Sequence, residues 1–223
     1  MNKKIYLIKG IADESYKQFS DRILALSKTV SYDEEIIQLK VVFTNQAPPK
    51  ISVIPFKKDK IAAISVVSSK KENGKLLKDE AGFSGGYAVE EALPVAYEKI
   101  WKDGEVTPGV CLLTLFKQKK GIEYATFIHR WHNRHTPLSL KIHPLWHYNR
   151  NEVKEKLTET SFEWDGIVEE HTRTTSELLN PLRFFGNPFI MIYNMIRVYF
   201  DTKSFLDYKT IEPYFALEVY MKS

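Results

Sequence analysis

Five of the chain's six histidines, His129, His132, His135, His143 and His147, lie in one short segment together with Trp131 and Trp146. Histidine moves protons near neutral pH and is the commonest metal ligand, so chemistry is sought there first. Metal binding meets a geometric obstacle. On a helix, His129, His132 and His135 stand at i, i+3 and i+6, and their directions fan over about 120°, so one ion takes at most an adjacent pair. His143 and His147 flank Pro144 in a segment that reads as extended, where four residues span about 13 Å. No metal site is expected, and most of these histidines are read as facing solvent. His135 differs because it shares the apolar face of its helix with Phe127 and Trp131. Two roles fit it: a general acid or base tuned by burial, or a cation complementing the negative end of the helix dipole.

Tyr148 and Asn151 follow on the next strand. They are read either as hydrogen-bond partners of a ligand oxygen or as an ordinary strand residue and a strand-end turn. The acidic candidates are Asp207, Glu218 and Glu90. A carboxylate turned into a protein interior is paired with a cation or raised in pKa, and strand alternation alone does not settle which face these three take.

The charge pattern points to the same segment. Residues Phe116 to Arg150 hold seven Lys or Arg against the single acid Glu123, a local +6 in a 223-residue chain whose whole net charge is +4. Nucleic acid is not the expected partner, because the aromatic strand signature of RNA-binding domains of this topology is absent and the cations spread over helix and flanks. Gly82, Gly85 and Gly86 do not form a dinucleotide fingerprint, so no nicotinamide or flavin site is expected by that route. One cysteine, Cys111, excludes an intrachain disulfide and fits a cytoplasmic, reducing setting. Ile5 to Ile8 is too short for a signal-peptide core. Phe184 to Phe200 is interrupted by Gly186, Asn187, Pro188, Asn194 and Arg197 and is read as buried and aromatic, not membrane-spanning.

Positioning these side chains requires a scaffold. Lys4–Lys9 reads as a strand, and a helix with Asp13 as N-cap follows, carrying Tyr16, Phe19, Ile23, Leu24 and Leu26. Strands are expected at 36–44, 61–68 and 87–97, with a short one at 51–56. A second series runs through a strand at 110–117, a helix at 123–135, strands at 145–151 and 166–172, a helix at 175–185 and a last strand at 213–222. Pro137 disfavours the α region at Thr136, so the histidine helix is expected to end near His135. At an offset of 108 residues Ile5 falls on Leu113, Phe19 on Phe127 and Ile23 on Trp131, while Ser27 faces His135. The reading is an α+β protein with two tandem ferredoxin-like (βαββαβ) halves, residues 1–107 and 108–223, whose antiparallel sheets pack as one barrel.

The second half resembles the EthD family, named for a gene cluster that degrades a fuel ether. The resemblance rests on Gly121 and Ile122, on Phe127, Trp131, His135, Pro137 and Leu138, on Tyr148 and Asn151, and on Phe205, Leu206, Asp207 and Glu218. It implies a dimeric-type α/β barrel with a mostly apolar pocket between the two sheets, occupied by a small hydrophobic or aromatic oxygenated compound. His135 would move a proton, Tyr148, Asn151 and Asp207 would position the ligand, and Trp131 and Phe127 would wall or support the site. An oxidoreductase, dehydratase or decarboxylase without a redox cofactor is the activity it implies. A non-catalytic carrier is the alternative, and a haem-binding barrel the third, since other dimeric α/β barrels hold haem with a helix histidine. A homodimer is compatible with all three.

Overall fold

The computed structural model describes residues 2–69 and 74–223. Eight strands, β1 (Asn2–Lys9), β2 (Ile36–Phe43), β3 (Ile61–Ser68), β4 (Phe83–Val95), β5 (Val110–Phe116), β6 (Leu145–Lys156), β7 (Gly166–Thr172) and β8 (Glu212–Lys222), form a closed barrel in the order β1-β3-β2-β8-β5-β7-β6-β4. Every pairing is antiparallel, and β2–β8 and β4–β6 join the first half of the chain to the second. The helices pack outside it. This is a mixed α/β fold of the dimeric α/β-barrel kind.

Both faces of most strands are buried, which is why they read as near-continuous apolar runs. Inward side chains including Ile5, Leu7, Ala63, Leu113, Leu115, Ile167 and Tyr214 fill the lumen. The outward set Tyr6, Ile8, Leu39, Val41 and Ile64 packs under Phe19 and Ile23 of α1 (Tyr16–Ser31). Each such fully buried apolar side chain contributes about 1.5–3 kcal/mol. The N-cap of α1 is Ser15, not Asp13: Ser15 Oγ accepts from Gln18 N and the Gln18 side chain accepts from Ser15 N. Asp13 instead occupies a left-handed position at φ +58°.

The histidine helix does not end at His135. α3 (Tyr124–His129) passes into a π-helical turn, Arg130–His135, and then into α4 (Thr136–Ile142). Thr136 is helical at φ −55°, ψ −51°, and its N–H and hydroxyl both donate to Trp131 O. The extra residue of the π turn widens the helix just where Pro137 removes a donor and would crowd the preceding turn. His135 therefore sits inside a helix and not at the end of a dipole.

Three other expectations change. Residues 51–56 are an irregular loop, not a strand. The helix expected over 175–185 is divided into α5 (Thr175–Leu179) and α6 (Pro181–Phe184), because Asn180 leaves the helical region and caps α6 by accepting from Leu182 N. The segment read as buried forms most of α7 (Pro188–Lys203), entered through the Asn187 cap and Pro188 in its first turn. Phe189, Ile192, Tyr193, Ile196 and Phe200 on α7 are exposed. No helix among the described residues is long and apolar enough to cross a membrane. The short helix α2 (Lys75–Lys78) lies in the connection before β4.

Candidate active site

The most apolar cavity lies outside the barrel, not between its two sheets. Apolar side chains such as Ile5, Leu7, Leu113, Leu115 and Tyr214 pack across the middle of the lumen. A space of about 300 Å³ opens instead between the outer faces of β5, β6 and β7 and the helices of the second half, roofed by Val53, Ile54 and Pro55 of the first. Its floor is Leu112, Thr114, Phe116, Tyr148, Val168 and Glu170, and its walls are Trp131, His135, Ser139, His143, Phe184, Phe185, Phe205 and Tyr208. That is the composition of a small-molecule site: apolar lining with a few convergent polar groups.

His135 is the first of these groups. Its Nδ1 lies 2.9 Å from Asp201 Oδ2, and the side chain is nearly enclosed. A carboxylate only accepts, so Nδ1 carries the proton and Nε2 becomes the acceptor. Asp201, on α7, is itself buried, and the Arg134 guanidinium approaches its other oxygen at 3.8 Å. The His135 ring also leans on Phe205, centroids 5.3 Å apart.

Glu170 is the second. It accepts a hydrogen bond from Ser139 Oγ at 3.0 Å, and burial raises its pKa, with only a partial counterweight from nearby His135 and Ser139. Raised carboxyl and oriented imidazole in one apolar cavity are the pairing that separates an acid from a base. His143 is the third, stacked on Phe184 at 4.0 Å and donating from Nδ1 to Phe184 O. Burial pushes its pKa down to about 4.

The other expected residues are dispersed. Trp131 walls the cavity, set edge-on to Phe116 at 4.9 Å, and Phe127 supports it from behind at 5.5 Å. Tyr148 forms part of the floor, its phenol held well above the usual range by burial. Asn151, three residues along β6, points to the opposite face and donates from Nδ2 to Ile167 O. Tyr148 and Asn151 are thus not brought together. Asp207 makes a turn, its carboxylate accepting from Lys209 N and its N–H donating to Lys117 O. Glu90 is exposed and pairs with Lys154. Glu218 is fully buried in the lumen, where it accepts from Tyr97 and Thr107. Of the five clustered histidines only His129 faces solvent, while His143 and His147 are buried.

Asp201, Glu170 and Ser139 carried no sequence signal strong enough to single them out, with one exception. Glu169 and Glu170 are consecutive on a strand, and alternation sends consecutive side chains to opposite faces. In a strand covered on both sides, each must be buried. Glu169 enters the lumen and pairs with Lys40, and Glu170 enters the cavity.

No family profile matches the chain, and no curated protein does. Solved structures do. An anthrone oxidase-like protein superposes with a TM-score of 0.60 at 8% identity, covering 98% of this chain and 90% of its own. A candidate monooxygenase from Fusobacterium nucleatum subsp. nucleatum superposes with a TM-score of 0.51 at 10% identity, covering 99% and 92%. At such identities the likeness establishes the fold, and the chain has the architecture of the dimeric α/β-barrel proteins.

Proposed function

We propose that this chain is an oxidoreductase-type enzyme that removes a proton from a small aromatic oxygenated compound in the outer cavity. The observation that carries the reading is the Asp201–His135 pair, 2.9 Å apart, opening into an apolar cavity that also holds Glu170. Asp201 orients the imidazole and stabilises the imidazolium formed when Nε2 accepts the proton. Glu170, whose burial shifts its carboxyl toward the neutral form, faces the same cavity beside the substrate oxygen on which negative charge develops. Trp131, Phe116, Tyr148 and Phe205 offer flat apolar surfaces to an aromatic ring system.

The fold likeness to an anthrone oxidase-like protein supports the same chemistry, as does the EthD-like pattern, whose Trp131, His135 and Tyr148 line this cavity. An activated aromatic methylene oxidised by dioxygen gives a ketone and water. The role of the protein's own residues is to form and hold the anion. We infer also that the halves 1–107 and 108–223 are two ferredoxin-like units. In support, each contributes its four strands to the barrel in the same order, fourth-first-third-second. At the 108-residue offset Ser27, buried on α1, aligns with His135, so on this reading the histidine site belongs to the second half alone.

Anthrone, a tricyclic ketone with an acidic methylene, is the test compound, followed by absorbance and oxygen uptake in air. His135→Gln should abolish enzyme-dependent turnover, and Asp201→Asn should lower kcat about 10²–10⁴-fold with a smaller change in KM. Retained turnover in folded His135→Gln would refute the assignment.

A further inference from the structure

The lumen of the barrel contains a second constellation on the opposite faces of β6 and β7, and the proposed function does not use it. His147 on β6, His171 on β7 and Glu218 on β8 each aim one ligand atom at a common point, all within 4.8 Å of one another. His147 and His171 are register partners across adjacent strands. All three are at least 97% buried. Neither ring nitrogen of His147 has a hydrogen-bond partner, nor does Nε2 of His171 or Oε2 of Glu218. His171 Nε2 and Glu218 Oε2 are 3.3 Å apart without hydrogen-bond geometry. Buried polar atoms are almost always satisfied, and three of these, one each from His147, His171 and Glu218, lie close enough together for one bound species to satisfy them.

The surroundings match what a metal ligand set needs. Oε1 of Glu218 is fixed by Tyr97 and Thr107, the latter at 2.8 Å, which leaves Oε2 directed at the imidazoles. Outer contacts of this kind orient ligating carboxylates. Tyr97 covers His147 at 4.0 Å and stacks against Trp101 and Trp146, closing that end of the barrel with aromatic rings. The charge balance agrees. Of the ionisable lysines and carboxylates turned inward among the described residues, Lys3 pairs with Glu91, while the single ammonium of Lys40 is shared by two carboxylates, Glu169 and Glu218. Lys40 also lies 3.3 Å from Glu218 Oε2 and caps one side of the site.

We propose that His147, His171 and Glu218 bind one divalent first-row transition-metal ion. Two imidazoles and a carboxylate suit zinc or iron(II), and exclude magnesium and calcium as the preferred ions. With no ligand pair more than 4.8 Å apart, a central point lies at most about 2.8 Å from each atom, so the ligands draw in by no more than roughly 0.7 Å to reach normal bond lengths. The ion ties β6, β7 and β8 together at the closed end.

The test uses no turnover, so it stands or falls separately from the outer cavity. Chelator-stripped protein is titrated with cobalt(II) and zinc(II), both in the folded state and during refolding, so that slow entry past the aromatic end does not hide the site. One ion per chain should bind with a Kd in the micromolar range or below. Cobalt should give visible d–d bands, and zinc at 100-fold excess over Kd should raise Tm by about 5–10 °C. X-ray absorption of the zinc complex should report two imidazoles. His147→Phe and Glu218→Gln should each weaken binding at least 100-fold. Absence of binding under both regimes would overturn the proposal, leaving His171 and Glu218 as an ion pair. So would binding that His147→Phe leaves unchanged, which would place the ion on surface histidines.

Discussion

His143 links burial at the cavity to acid sensitivity in a way that can be measured. Its imidazole is enclosed by Phe184 and Phe185, and desolvation, followed by the nearby His135, holds its pKa at about 4 against an ordinary 6.5. Because the folded value is depressed, the unfolded chain takes up the proton first as pH falls. Stability is therefore unaffected above about pH 7.5 and declines between 6.5 and 4, where the unfolded state binds more protons. At pH 4.5 the difference in proton binding costs about 2–3 kcal/mol relative to pH 7.5. His132, lowered by burial to about 4, steepens the same limb. A comparison with His143→Phe isolates the one site. The variant loses the bond to Phe184 O, about 1 kcal/mol at either pH. The wild type should then lose about 2–3 kcal/mol more than the variant between pH 7.5 and 4.5, read from urea unfolding. Equal losses would show that His143 takes up its proton in the folded state, and that the cavity wall is wetter than its packing indicates.

Trp131→Ala should destabilise the fold by about 3–5 kcal/mol, since the ring is 1% exposed between Phe116 and Phe127; chemical denaturation measures this, and a loss below 1 kcal/mol would contradict the packing. At the start of α1, Ser15→Ala should cost about 1 kcal/mol through loss of the capping box, whereas Asp13→Gly should cost nothing, because φ +58° suits glycine. The reverse pattern would restore Asp13 as the cap.

Local pattern was enough for the elements whose residues agree with their surroundings. β3 and β7 are read at the residues they occupy, because 61–68 and 166–172 are compact runs rich in β-branched side chains bounded by breakers. The failures have physical causes too. Residues 51–56 have strand composition but no partner edge, since β2 and β3 already pair with each other and with β8 and β1. Pro137 did not end its helix because the π turn Arg130–His135 absorbed the missing donor.

By itself the sequence determined the strand and helix alternation, the concentration of histidine and positive charge in one segment, and His135 on an apolar helix face beside Trp131. These follow from period and composition, which are local properties of the chain. Tertiary structure alone decided that the ligand-sized space lies outside the barrel, that Asp201, 66 residues away, is the partner of His135, and that β6 sends Tyr148 and His147 to opposite sides. Barrel closure through β4–β6 and β2–β8 sets which face of each strand is the lumen. Until that register exists, alternation says that two neighbouring residues part company but not which of them goes inside.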